Sequence, residues 1–338
     1  YLDNPACVLG PNQRCAHSLV DQELNHQLFD YECQIRNRFA PITDVLMAVS
    51  TMQHETAFVA RAQQLSQTRL GYRLPEKLLQ DAWVVGLDMR ALHSFCIFRT
   101  FKTCVECAAM DQAPWLARMI IDRQFLQSCG YHTVDISPCA DGRLQGLVPF
   151  VLRIAPSEAI SVKAYAGALF DVEADVADWT RRELERLNGT ISGGEDGNYL
   201  KIAVYHFSTS NPSHQGCAAH GSQDDKATMA AAAKLDELRA AIDNTFGSGA
   251  APETLLIGMD TDTDAIRVHI PNGDSMNCPG RYVESAQVFR DTLSLDEQAA
   301  SAAISRAVDM ADGGSGLRPG MRRLVERLLQ ANLSQIQY

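Results

Sequence analysis

The five-residue stretch Cys139-Ala140-Asp141-Gly142-Arg143 sets a thiol, a carboxylate and a guanidinium at every second position. In an extended chain all three side chains point the same way. That grouping offers a soft metal ligand, a group that can hold or accept a proton, and a cation that can orient it. Two more metal-ligating residues stand further on. His206 directly follows the apolar run Lys201-Ile202-Ala203-Val204-Tyr205, and Cys217 lies eleven residues after it. A Cys139/His206/Cys217 set drawn from two strand ends and a loop is a three-ligand zinc site with its fourth position open, the arrangement of catalytic rather than structural zinc. Two thiolates and a neutral imidazole balance the charge of Zn²⁺, and zinc still polarises a bound water toward ionisation at neutral pH. Asp141 can accept a hydrogen bond from the resulting hydroxide or occupy the open position itself. Arg143, through a bidentate pair, can keep Asp141 ionised and off the metal.

These residues need a frame. Tyr131–Ile136 alternates and reads as a strand that delivers Cys139. Leu147–Ile154 and Lys201–Phe207 are continuously apolar, as in strands buried on both faces. Thr254–Met259 reads as a fourth strand, and Ala265–Ile270 as its hairpin partner. Between them, Asp175–Leu187 and Asp224–Phe246 have helical periodicity, with Asp224 or Asp225 as the N-cap of the second. Leu295–Met310 and Leu317–Leu333 are helices separated by Gly313-Gly314-Ser315-Gly316, and Ala117–Cys129 reads as one more helix. Strands alternating with helices imply an α/β layer with a mostly parallel sheet, whose ligands gather at the carboxyl ends of the strands. Before Pro114 no strand pattern appears. Asp21–Ala40, Ile42–Leu70, residues 76–82 and residues 87–109 read as helices, the last with Leu92, Phe95, Cys96 and Arg99 on one side. The expected fold class is α/β, an all-α domain over residues 1–113 followed by a zinc-binding α/β domain over 114–338.

Composition narrows the function classes. Hydrophobic residues at 46% and charged residues at 21% are those of a globular protein. A net charge of -11 argues against a nucleic-acid partner, and no apolar run reaches the length of a membrane span. The first residues lack the charged and apolar regions of a secretory signal. Ten cysteines without regular spacing suit a reducing, cytosolic setting. Cys104-x-x-Cys107 has metal or redox spacing but no second ligand pair nearby, so both read as core cysteines. Asp260-Thr261-Asp262-Thr263-Asp264 begins like a calcium loop but lacks the glycine and glutamate that such a loop needs, and reads as a bend with a supporting role. The Gly193-Gly194 loop does not have phosphate-binding spacing. His132 and His220 read as structural histidines, although either could relay protons. Arg318, Arg322, Arg323 and Arg327 form a solvated helix face, or else an anion or effector site.

Cys139-x-Asp141-x-Arg143 resembles the zinc-and-dyad motif of β-class carbonic anhydrases, in which a strand ending in histidine and a later cysteine complete the site. The wide separation of His206 and Cys217 resembles the divergent carboxysomal carbonic anhydrases, once called the ε class. Tyr205-His206-Phe207-Ser208, His214-Gln215-Gly216-Cys217-Ala218-Ala219-His220-Gly221, Asp260–His269 and Leu87-Asp88-Met89-Arg90-Ala91-Leu92 extend that resemblance over the chain. It implies a β-carbonic-anhydrase-like catalytic domain behind a helical one. It also implies a third, degenerate copy without zinc, expected to lie outside these residues. The implied activity is hydration of CO₂ to bicarbonate by zinc hydroxide, with Asp141 orienting the hydroxide or accepting a proton and Arg143 positioning Asp141. Implied partners are a second copy of the chain at least, the carboxysome shell, and Rubisco, which would receive the CO₂. A sugar-bisphosphate effector is a further expectation of that setting. The alternative is a zinc-containing scaffold component without activity. His214-x-x-Cys217 has the histidine–cysteine spacing of ordinary β-class enzymes, but His206 has the strand-end position. Metal analysis separates them: His206→Ala is expected to lose zinc and His214→Ala to retain it, and the reverse result would move the imidazole ligand to position 214.

Overall fold

The computed structural model describes residues 37–80, 86–89, 91–93, 95–97, 99–100, 103, 121–141, 152–154, 160–189, 197–210, 216–271, 280–314, 316–333 and 336. Three helices open the described chain: α1 (Pro41–Thr51), α2 (Phe58–Leu70) and α3 (Glu76–Gln80). The described residues from 89 to 103 are helical as well. The sequence pattern joined residues 42–70 into one helix. The chain instead leaves the helix after Thr51 and turns at 52–57, where the Glu55 N–H closes on the Met52 carbonyl and the Phe58 N–H on the Glu55 carbonyl, both at 3.0 Å.

The α/β part contains α4 (Arg123–Ser128), β1 (Tyr131–Pro138), β2 (Ile160–Val162), α5 (Val172–Leu187), β3 (Asn198–Phe207), α6 (Asp224–Phe246), β4 (Glu253–Asp260), β5 (Ile266–His269), β6 (Tyr282–Glu284), α7 (Ser285–Thr292), α8 (Glu297–Asp312) and α9 (Pro319–Leu333). The six strands form one sheet in the order β2-β1-β3-β4-β5-β6. The first four are mutually parallel, and β5 and β6 are added antiparallel. β3 sits in the middle, buried from Tyr199 to Phe207, as its unbroken apolar run demands.

Several details differ from the sequence reading. The run 147–154 is not a sheet strand where it is described. Leu152 and Arg153 lie in a turn, and Ile154 makes a single bridge to Ile121. Residues 147–151 lie outside the described residues, and β2 pairs with β1 on the side away from β3. The helix expected over 117–129 is described only from Arg123, capped by Asp122, whose carboxylate accepts the Phe125 N–H at 2.8 Å. The N-cap of α6 is Gln223, without a side-chain bond, while Asp224 and Asp225 occupy the first turn, where the helix dipole favours them. β6 and α7 were not legible, since three residues of strand carry no measurable period.

A charged cluster is buried inside this sheet. Lys201 on β3 is fully buried, with its Nζ 2.5 Å from Asp135 on β1, 2.5 Å from Asp175 on α5 and 2.8 Å from Ser137 Oγ. The Phe170 ring lies 4.3 Å below the ammonium. Burial pushes the Asp135 carboxyl up, but the Lys201 charge outweighs it and holds Asp135 below its ordinary range. Removing the cation would leave two buried carboxylates with only the partly exposed Lys163, 3.8 Å from Asp175, to offset them. Lys201→Met is therefore expected to lower stability by about 3–5 kcal/mol, while the triple change with Asp135→Leu and Asp175→Leu recovers most of that loss. Urea unfolding of both variants measures it. A Lys201→Met protein that unfolds at the wild-type midpoint would contradict it.

Candidate metal centre

Each donor of the site is carried by a separate element. Beyond Pro138 the β1 chain stays extended. The Cys139 N–H donates to the Val204 carbonyl (2.8 Å), and the Ala140 N–H to the Tyr165 carbonyl (2.8 Å), so the segment is zipped between β3 and residues 163–165. His206, fully buried, is the next-to-last residue of β3 and pairs with Met259 on β4. Cys217 opens a short 3₁₀ turn, Ala218–His220, and its carbonyl accepts the N–H groups of His220 and Ser222, both at 2.9 Å.

Two features hold the chain around these donors. The acidic bend after β4 grips the segment after His206. Asp260 accepts from Thr209 Oγ1 (2.7 Å) and Thr263 Oγ1 (2.8 Å), Asp262 accepts from Ser208 Oγ and the Ser210 N–H (both 2.8 Å), and Thr261 donates from its N–H to the Phe207 carbonyl (2.9 Å). The supporting role expected of this bend is thus a set of hydrogen bonds onto the end of β3. On the other side, His220 Nε2 lies 3.2 Å from the Gly167 carbonyl oxygen. Gly167 has φ +67°, and a Cβ there would lie 2.6 Å from His220 Nε2, so the close approach requires glycine.

The three donor residues converge. The ligating atoms of Cys139, His206 and Cys217 lie within 4.8 Å of one another, and all three residues are buried. The Cys139 and Cys217 sulfurs are 3.8 Å apart. Two zinc–sulfur bonds of about 2.3 Å at a tetrahedral angle span about 3.8 Å, so the donor set fits zinc in both chemistry and spacing. The two thiols are within hydrogen-bonding distance of each other. The hydrogen bond from Cys139 draws the Cys217 thiol down to about 7 against its burial, helped by the N–H groups of Ala219 and His220. The same bond, with burial, pushes Cys139 up to about 12. Asp141 stands beside the set, its Oδ2 3.5 Å from His206 Nε2. Arg143 and His214 lie outside the described residues, as do Cys104, Cys107 and the Gly193-Gly194 loop.

The other singled-out residues serve the fold. His132 is held between Thr133 Oγ1 (2.7 Å) and Glu183 Oε1 (2.9 Å). Arg318 pairs with Glu253, and Arg322 with Asp309 (2.6 Å) and Glu326 (3.2 Å). Among the described residues no helix is long and apolar enough to cross a membrane. His93, whose imidazole lines a pocket beside Ala140, escaped the sequence reading because a lone histidine in a helical segment has no spacing that marks it.

Residues 121–338 match the family model described as "Carboxysome Shell Carbonic Anhydrase, catalytic domain", and residues 17–109 the one described as "Carboxysome Shell Carbonic Anhydrase, N-terminal". The chain belongs to the carboxysome shell carbonic anhydrase family. A relative named carboxysome shell carbonic anhydrase from Halothiobacillus neapolitanus is 42% identical, over 100% of this chain and 68% of its own length. One of the same name from Parasynechococcus marenigrum is 41% identical over 95% and 56%, and one from Hydrogenovibrio crunogenus 37% identical over 95% and 62%. The chain thus spans between about half and two thirds of the length of these carboxysome shell carbonic anhydrases.

The Asp262 grip has a pH signature. Burial raises its carboxyl, but hydrogen bonds from Ser210 and Ser208 outweigh burial and hold it below the ordinary range. A depressed folded-state value contributes stability above the unfolded value and loses it as pH falls through the folded one. Asp262→Asn is expected to cost about 1 kcal/mol at neutral pH, after solvent screening, and almost nothing once pH is well below the carboxylate range. Denaturation of both proteins at the two pH values checks this, and a difference independent of pH would rule it out.

Proposed function

We propose that this chain is a zinc-dependent carbonic anhydrase that interconverts CO₂ and water with bicarbonate and a proton. The observation that carries the reading is the convergence of Cys139, His206 and Cys217, at the sulfur spacing of a tetrahedral site, beside the Asp141 carboxylate. Zinc held by those three residues would supply the Lewis acidity that makes water a nucleophile at neutral pH. The buried thiols and imidazole would keep bulk water from a metal held between them, leaving the Asp141 side as the face for substrate. Asp141, next to that face, accepts a hydrogen bond from the attacking oxygen and fixes its lone pair toward the CO₂ carbon. Arg143, two positions further along the chain, would supply the positive charge that keeps this carboxylate ionised. Each hydration releases one proton, which leaves to buffer. Likeness of the fold to β-class enzymes, division at residue 113, and a degenerate duplicate beyond residue 338 belong to the same reading. So do a homodimer or larger assembly, residence in the carboxysome, contact with its shell and delivery of CO₂ to Rubisco. A sugar-bisphosphate effector is a further part of it, motivated by that compartment.

A second reading has one observation in its favour. Asp141 lies close enough to His206 to close the metal's fourth position, which would make the site structural and the chain a non-catalytic component of the shell. Stopped-flow CO₂ hydration by the zinc-loaded protein separates the two. Activity is expected, with Asp141→Asn retaining metal and losing about 10²-fold or more in kcat, and Cys139→Ala losing both metal and activity. A zinc-replete protein inactive across neutral and mildly alkaline pH would establish the scaffold reading instead.

A further inference from the structure

A pocket of about 210 Å³ lies where the helical region meets the metal centre. One wall is α1, through Thr43, Leu46 and Met47. A second is the helical segment carrying Met89 and His93. The floor is Ala140, between Cys139 and Asp141, and Ala164, next to the residue that anchors Ala140 by its carbonyl. Met47 is 63% exposed, so the pocket opens to solvent past its side chain on α1. No charged side chain is among the described lining residues. The volume is below the range of pockets for organic cofactors and ample for a molecule of three atoms.

His93 is the feature that calls for a ligand. Its Nε2 is buried and has no hydrogen-bond partner among the described residues. Burial also pulls its pKa down to about 4, so the imidazole is neutral at physiological pH. A buried nitrogen without a partner is unfavourable, and a small molecule that interacts with it relieves that cost. The pocket selects which molecule. Bicarbonate would have to leave water for a chamber whose described lining residues carry no cation, which is strongly unfavourable. CO₂ is uncharged, weakly hydrated and linear. Its oxygens accept from an imidazole N–H, and its carbon takes a nitrogen lone pair.

We propose that this pocket is a CO₂ antechamber, built jointly by the helical region and the strand ends of the metal site, with His93 as the side chain that holds CO₂ there. The proposal rests on the carbonic anhydrase reading, and it deepens that reading by giving the helical region a part in substrate capture. His93 positions substrate and exchanges no proton with it. The chamber favours CO₂ over its hydrated product without contributing to the metal's ligand set.

The kinetic consequence is asymmetric. A chamber that stabilises bound CO₂ and the transition state alike lowers KM for CO₂ in hydration and leaves kcat unchanged. Since the overall equilibrium is fixed, the same contribution in dehydration raises kcat and leaves KM for bicarbonate unchanged. Filling the chamber with Met89→Trp, or removing the nitrogen with His93→Leu, is expected to raise hydration KM by about 2- to 10-fold, the range of one net hydrogen bond. Dehydration kcat falls by the same factor, with zinc content and hydration kcat retained. Met47→Trp at the exposed mouth gives the same signature if Met89→Trp does not fold. The independent readout is infrared spectroscopy of metal-free protein under ¹³CO₂. Wild type is expected to show a bound-CO₂ band distinct from that of dissolved gas, and Met89→Trp and Met47→Trp to lose it. A bound band with no turnover by the zinc-loaded protein would sink the enzyme reading and leave the chamber standing. Turnover with no band, or with hydration KM unmoved by all three substitutions, overturns the chamber. A His93→Leu protein with unchanged KM, whose lowered kcat is restored by added imidazole buffer, overturns it too and makes His93 a proton carrier.

Discussion

The pairing of β1 with β3 is the constraint from which the site follows. The two strands run parallel with Asp135 against Lys201 and Pro138 against Val204, and the ladder continues one bond further, from the Cys139 N–H to the Val204 carbonyl. Parallel pairing brings both carboxyl ends to one edge of the sheet, which is where Cys139 and His206 stand. The register matters as much as the direction, because a slip of one residue turns every side chain to the opposite face. Such a slip would take Lys201 from Asp135 and Asp175 and at the same time take His206 from the sulfurs. The buried ion cluster and the metal centre therefore depend on one alignment, and the cluster penalises every other alignment with uncompensated buried charge.

What the sheet does not position, two local devices do. The bend Asp260–Asp264 uses carboxylates and a threonine to hold residues 207–210, so the chain leaves β3 in a fixed direction after the ligand histidine. Gly167 and His220 meet at a distance that only a residue without a side chain permits, which fixes the turn that Cys217 begins. Each ligand is thus backed by main-chain or carboxylate hydrogen bonds from a different element. Little rearrangement is needed to bind a cation, as preorganised metal sites require.

Legibility in the sequence followed the strength of the physical signal. β3 could be read to within a few residues, because burial on both faces forces a largely apolar run, Ile202–Tyr205, just before its histidine. β1 could be read from alternation, though its last two residues, Ser137 and Pro138, carry no pattern. The converging group Cys139, His206 and Cys217 could be read because soft ligands at strand ends are a chemical as well as a positional signal. The end of the run Leu147–Ile154 misled, since Leu152 and Arg153 lie in a turn and hydrophobicity reports burial and not hydrogen-bond pairing. The antiparallel edge at Tyr282–Glu284 was too short to show a period. The charge network around Lys201 was invisible for another reason. Asp135, Asp175 and Lys201 are spread over 66 residues, and nothing in their local context marks them as partners until the sheet is assembled.

That same non-locality governs how the chain reaches its folded state. Cys139 and His206 are 67 positions apart, with α5 and β2 between them, and the crossover must close before the two strands can meet. No hairpin or isolated helix along the way contains the donor set, so a partly folded chain offers a metal single cysteines and histidines at most. Ion capture in the native geometry is then coupled to completion of the sheet rather than to an early local step. A metal bound there would act as ballast on the finished fold: it would draw the conformational equilibrium toward the native state without guiding the search that leads there.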